Sequence, residues 1–279
     1  MPPAVASPPA APTRAAAARG ARVARDGGEW RRDLVLLGVG LALLTAWDVL
    51  GLDQPISRLF ADAGGFALRE QWFVSGVLHS GSRWVAWGVA LVLFVGIWRP
   101  LPFARKLTRA ERIHWVVATI ACALLIPLLK VFSLTSCPWS LAEFGGTATH
   151  VSHWLIGRAD GGPGRCFPAG HATAAFCFLP GYFLLRRVAP VAARRWLGVT
   201  LAAGALMTMV QVVRGAHFVS HSLWTGWCCW VLTVVLLHAL RHAAAVRRTG
   251  DEAPRPAPWA VKRNTPRTET ADLVANETS

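Results

Sequence analysis

Three short segments concentrate the residues able to handle a phosphate group: LLKVFSLTSCPWSL (128–141), GRCFPAGHAT (164–173) and QVVRGAHFVSHSLW (211–224). Lys130, Arg165 and Arg214 supply fixed positive charge, and His171, His217 and His221 supply rings that titrate near neutrality. A histidine can donate a proton to a departing oxygen, and a second can attack phosphorus to form a phosphohistidine, dividing one hard displacement into two easier ones. Pro168 suits the first turn of a helix and Gly170 allows close approach to the backbone. A helix is therefore expected to begin near Ala169 and Gly170, with open amides and a positive dipole end turned toward the anion. The sum is an anion site with proton-transfer groups.

The elements that must position these residues are membrane helices. Of 279 residues 53% are hydrophobic, with 14 Trp and 1 Tyr, a composition of membrane proteins and not of soluble enzymes. Apolar runs long enough to span a bilayer recur at about 34–52, 84–98, 114–134, 170–186, 195–213 and 220–240. The pattern predicts an all-α bundle of six transmembrane helices over 32–242, between disordered tails at 1–31 and 243–279. Arg before an apolar stretch also resembles a secretory signal. The run is too long for one, ends in Trp47 and Asp48, and lacks a small-residue cleavage pattern, so a retained first helix is expected.

The formal charge of +14 follows membrane topology, which argues against a nucleic-acid partner. Arginines crowd the segment before the first helix, the 99–112 loop and the 186–195 loop, whereas the alternate loops mix both signs. The positive-inside rule then places both termini in the cytoplasm and the three polar segments together at the outer surface, consistent with a bacterial inner membrane and a periplasmic or outer-face site. Ionisable residues at such depths are costly and mark function.

The three segments resemble the signatures of the type 2 phosphatidic acid phosphatase (PAP2) and haloperoxidase superfamily: Lys, six residues, Arg-Pro; Pro-Ser-Gly-His; and Ser-Arg, five residues, His, three residues, Asp. The resemblance covers about 34–240 and agrees in order, spacing and side of the membrane. It implies an integral-membrane phosphatase that removes phosphate from a phospholipid or isoprenoid-lipid phosphate, with no cofactor. His217 would be the nucleophile and His171 the acid and base, with Lys130, Arg214, Arg165 and the Gly170 amide holding phosphate. A phosphotransferase using the same pocket, a non-catalytic binder of anionic lipid and a small transporter are the competing readings.

The match has departures. Lys130 and Pro138 stand in place, but Cys137 occupies the arginine position, Ala169 the serine, Gln211 the second arginine and His221 the aspartate. Arg214 shares a helical face with Gln211 and can deliver the missing guanidinium, and Arg165 can stand in for the other. The family aspartate accepts the N–H of the nucleophilic imidazole; Asp48, at the outer end of the first helix, is the candidate acid to replace it. A rival alignment makes His221 the nucleophile, with Arg214 ahead of it one residue too far.

His150 and His153, in HVSHWL, read as part of an amphipathic helix on the membrane. Cys122, Cys177, Cys228 and Cys229 fall inside spans and read as small core residues. Cys137 and Cys166 share the outer side and each abuts a signature segment, so a disulfide between them is expected. No Cys/His spacing fits a metal site. The sequence leaves the oligomeric state and the particular lipid open.

Overall fold

The computed structural model describes residues 14–251, with side chains placed within 27–245 apart from His79. The long elements are α1 (Arg14–Val49), α3 (Gly81–Val95), α4 (Arg109–Val131), α7 (Pro190–Val213) and α8 (Val219–Asp251). Between them lie three short helices, α2 (Asp53–Arg58), α5 (Thr173–Phe176) and α6 (Pro180–Leu185), and a two-stranded ribbon, β1 (Ala61–Asp62) with β2 (Gly65–Phe66). A wider, π-type helical stretch, Phe73–Ser80, runs directly into α3.

Among the described residues four helices are long and apolar enough to cross a membrane: Phe73–Val95, Arg109–Val131, Pro190–Val213 and Val219–Ala245. The protein is an integral membrane protein built on them. The expected spans at 34–52 and 170–186 are not among these four. The expected 170–186 span is divided into α5 and α6, because Pro180 cannot continue a helix and the intervening residues close i→i+3 bonds such as Leu179 N to Phe176 O, 3.2 Å. Its apolar stretch, Thr173–Leu185, rises only about 20 Å at 1.5 Å per residue, short of a bilayer core of about 30 Å. It is an interior element, buried along nearly its whole length. In α1 the apolar run from Leu34 to Trp47 is bracketed by Arg31, Arg32 and Asp33 on one side and Asp48 on the other.

The expected N-terminal tail is also corrected: from Arg14 the chain is helical and continuous with α1. Its Ala- and Arg-rich composition, which suggests a tail, also has high helix propensity. Likewise α8 continues to Asp251, past the expected boundary at 243. The remaining tail residues, 1–13 and 252–279, lie outside the described residues.

Helix α4 opens on a capping box in which Thr108 Oγ1 accepts from Glu111 N and Glu111 Oε2 accepts from Thr108 N, 2.8 Å. Its buried face runs Trp115, Thr119, Cys122 and Ile126, and the next position on that spacing is Lys130. The inward stripe of α7 runs Ala193, Thr200, Gly204, Met207 and Gln211, with Arg214 one turn further. Lys130 and Arg214 thus close the ends of core-facing stripes.

Above the bundle, Phe66, Leu141, Phe144, Ala148 and Phe218 form a separate small core joining the ribbon to the α4–α5 loop. Buried Asp160 organises that loop: its carboxylate accepts from Ser136 N, Ser136 Oγ (2.8 Å) and Gly162 N (2.9 Å). The loop is then fastened to the end of α7 by Trp139 N donating to Gly215 O, 2.9 Å. HVSHWL forms turns inside this loop and no helix, so the expected amphipathic helix is absent. Thr149 N and Thr149 Oγ1 donate to Asp160 O and hold the adjoining chain in an irregular course.

Candidate functional site

Helix α7 ends in a Schellman turn, with Ala216 N donating to Gln211 O (2.9 Å) and Gly215 N to Val212 O (2.9 Å). Gly215 has φ +70°, and a side chain there would stand 2.2 Å from the Phe66 ring, so conformation and space both demand glycine. This turn reverses the chain and carries His217 inward, where it is 2% exposed. Helix α8 then starts at Val219, its first turn capped by Asp53, which accepts from Ser220 N (3.0 Å) and Ser220 Oγ.

The Pro168–Gly170 segment is pinned against α8: Ala169 N donates to His221 O (3.0 Å), and Thr225 Oγ1 donates to Ala169 O (2.9 Å). The helix expected at Ala169 begins later, at Thr173, and is reached through Thr173 N to Gly170 O (3.3 Å) and Ala174 N to His171 O (3.1 Å). The Ala169 amide is therefore engaged, while among the described residues the Gly170 N–H has no backbone acceptor. What faces the site is a tight turn and not the start of a long helix.

Three predicted residues meet around this turn. The rings of His171 and His217 lie 6.1 Å apart at a tilt of 48°, and Lys130 Nζ stands 3.7 Å from where a β-carbon on Gly170 would be. Burial first, and then the neighbouring His221, Lys130 and His171, hold the His217 imidazole well below its ordinary value, opposed by the Cys166 backbone carbonyl. That direction favours the neutral imidazole.

Arg214 is buried beside them, its Nε donating to Arg69 O at 3.0 Å, and burial lowers its guanidinium pKa from the ordinary value. Arg69 in turn lies over Trp139, 4.6 Å from the ring, and pairs with Glu70 at 3.2 Å. Arg165 lies apart. It is exposed, in the left-handed region at φ 55°, with its N–H on Ser133 O. Cys137 and Cys166 are joined in a disulfide, and Cys166 Sγ lies 3.3 Å from His217 Nδ1. The two sulfurs and the His217 ring fall within 4.8 Å of one another, but the sulfurs are bonded together and this is no metal centre.

Asp48, the candidate orienting acid, is engaged away from His217. Its Oδ2 accepts from Trp154 Nε1 and Trp224 Nε1, both at 3.0 Å, and lies 3.2 Å from His153 Nε2. Two indole donors and the His153 ring crowd that oxygen at the last turn of α1, and the His221 ring intervenes: His153 stands 6.2 Å from His221, and His221 5.8 Å from His217. His153 stacks on Phe167 at 4.2 Å, and burial, offset by Asp48, lowers its pKa. Sequence reasoning placed His153 on a surface helix; its position three residues after His150 carried no sign of this stacking. Asp53 and Asp160 were also read only as loop charge. The Asp-Gly pair at 160–161 was the available turn signal for Asp160.

Residues 111–244, which contain all three segments, match the model of the PAP2 superfamily. That stretch of the chain is similar to the PAP2 superfamily. A solved structure described as the first transmembrane PAP2-type phosphatidylglycerolphosphate phosphatase from Bacillus subtilis is similar at 20% identity and TM-score 0.46. The match covers 75% of this chain and 96% of that one. No curated protein matches the chain. The departures from the PAP2 signatures at Cys137, Gln211 and His221 have a structural context. Cys137 is tied to Cys166, Gln211 is wholly buried as the Schellman acceptor, and His221 sits between His217 and His153.

Proposed function

We propose that this protein is a membrane phosphatase that hydrolyses a lipid-linked phosphomonoester or pyrophosphate at the outer face through a phosphohistidine. The observation that carries the reading is the pairing of His217 with His171 beside the Lys130 ammonium. A phosphoryl group set between the two rings meets a nucleophile on one side and a proton donor on the other.

His217 attacks phosphorus while His171 protonates the leaving alkoxide. His171 then takes a proton from water, which cleaves the phosphohistidine and restores the enzyme. Lys130, Arg214 and the Gly170 N–H stabilise the charge on the equatorial oxygens, an effect strongest in a buried site. Arg165, being exposed, is assigned the mouth of the site, where it attracts the anionic headgroup. Beside Pro168 lies an apolar hollow of about 320 Å³ lined in part by Leu134, Trp154, Leu155, Phe167 and Trp224. It suits the first part of a lipid chain and supports a lipid over a soluble phosphate ester.

Phosphate release from a panel of lipid phosphates in detergent tests this. His217→Ala should lower turnover by on the order of 10⁴ or more, and His171→Ala by about 10²–10⁴. Vanadate should inhibit. A wild type inert on every lipid would sink the reading, and loss on His221→Ala with His217→Ala active would transfer the nucleophile to His221.

A further inference from the structure

The group that faces His217 Nδ1 is a sulfur. Cys166 Sγ lies 3.3 Å from Nδ1 and 3.1 Å from Ala216 O, and the half-cystine is fully buried. A disulfide sulfur carries no hydrogen, so the approach to Ala216 O is a contact and Sγ can only accept. A ring nitrogen facing acceptors alone carries the proton, which leaves the Nε2 lone pair for attack.

We propose that the Cys137–Cys166 disulfide is the positioning group for His217, selecting its Nδ1–H tautomer in place of an acid and making catalysis depend on the oxidised state. The proposal rests on His217 being the nucleophile. A dithiol reductant such as dithiothreitol would break the S–S bond, delivering two electrons and two protons and leaving as a cyclic disulfide. The Cys166 thiol can then donate or transfer its proton to Nδ1. In either case the ring's proton moves to Nε2, and attack is blocked. The other groups facing His217 are His221 from α8, Lys130 from α4 and His171 from the turn before α5, with the Asp48–His153 pair behind His221. None of them changes on reduction.

The test measures the protonation midpoint of His217 by hydrogen–deuterium exchange at its imidazole C2, read by peptide mass spectrometry, alongside phosphate release against pH. In the oxidised protein the midpoint should lie below the ordinary histidine value. Dithiothreitol, or Cys137→Ala, which frees the Cys166 thiol, should raise it by at least about one unit through a thiolate partner while phosphate release is lost. The double variant Cys137→Ala/Cys166→Ala removes the sulfur and should leave the midpoint low. A clip with a merely structural role would lower turnover equally in both variants with no shift, and that result overturns the proposal. The exchange readout needs no turnover, so a shift in an inert protein would uphold the positioning role while rejecting the phosphatase.

Discussion

The two ends of the bundle handle charge in opposite ways. Where α1 enters it, Arg186 is gripped by both oxygens of Asp33 at 2.7 Å each and by Glu29 at 2.9 Å, while Arg187 pairs with Glu29 at 2.7 Å. His238 lies 3.8 Å from the same Asp33, which is only 1% exposed. Fifteen residues further along α1, the histidine end gathers Lys130, Arg214, His171, His217 and His221, yet its buried acids face elsewhere. Asp48 is taken by two indoles and His153, and Asp53 by Trp47 and Ser220. Among the described residues Lys130 makes no ion pair. Buried charge that meets its counter-charge within the chain holds helices together. A half-buried ammonium such as that of Lys130, with no ion pair among the described residues, is what an anion site calls for.

Removing charge should therefore cost fold at one end and catalysis at the other. Arg186→Met leaves Asp33 buried without its main partner and should destabilise by about 3–5 kcal/mol, with the turnover of the folded fraction unchanged. Thermal unfolding in detergent with phosphate release per folded molecule would check both halves. Lys130→Met should act conversely, lowering kcat by about 10²–10³ as one charge-stabilising donor is lost, with little change in unfolding temperature. A Lys130→Met protein that unfolds early but turns over normally would erase the contrast.

The pH profile sharpens the same comparison. Burial and neighbouring cations depress the His217 pKa, so the neutral, attacking ring persists to lower pH. As pH falls through that depressed value His217 gains a proton and activity is lost. The acid limb of kcat/KM should accordingly lie below about 6.5, the ordinary histidine value. A limb at or above it would mean that His217 is paired with an acid in solution.

Much of the histidine end was legible in the sequence because its residues occupy three local spacings: Lys130 to Pro138, Pro168 to His171, and Gln211 to His221. The Cys137–Cys166 pair was readable from a shared side. The ionic end was not, since Asp33 and Arg186 are 153 residues apart and each alone reads as a helix-end charge. The break before Pro180 had the Pro180-Gly181 pair as its signal, outweighed by the apolar composition around it, which sets burial but not helix continuity. The Schellman turn at Gly215 had a glycine as its signal, yet only the packed Phe66 ring makes its necessity evident.

The smallest effect expected is also the one that separates the two ways an acid serves this site. If Asp48 oriented the nucleophile directly, Asp48→Asn would cost orders of magnitude in kcat. Its carboxylate is instead held by Trp154, Trp224 and His153, and reaches His217 only through His153 and His221. Asparagine keeps an oxygen for the indoles and removes the charge beside His153. That imidazole, already lowered by burial, then loses the main influence that raises it and titrates lower still. The expected result is a fall in kcat of less than about tenfold, roughly the worth of one hydrogen bond, with the His153 midpoint displaced downward and that of His217 unmoved. Imidazole exchange read at both rings in the Asp48→Asn protein would decide it. A shift at His217 as large as that at His153 would mean that the three rings titrate as one relay, with the acid acting along its whole length.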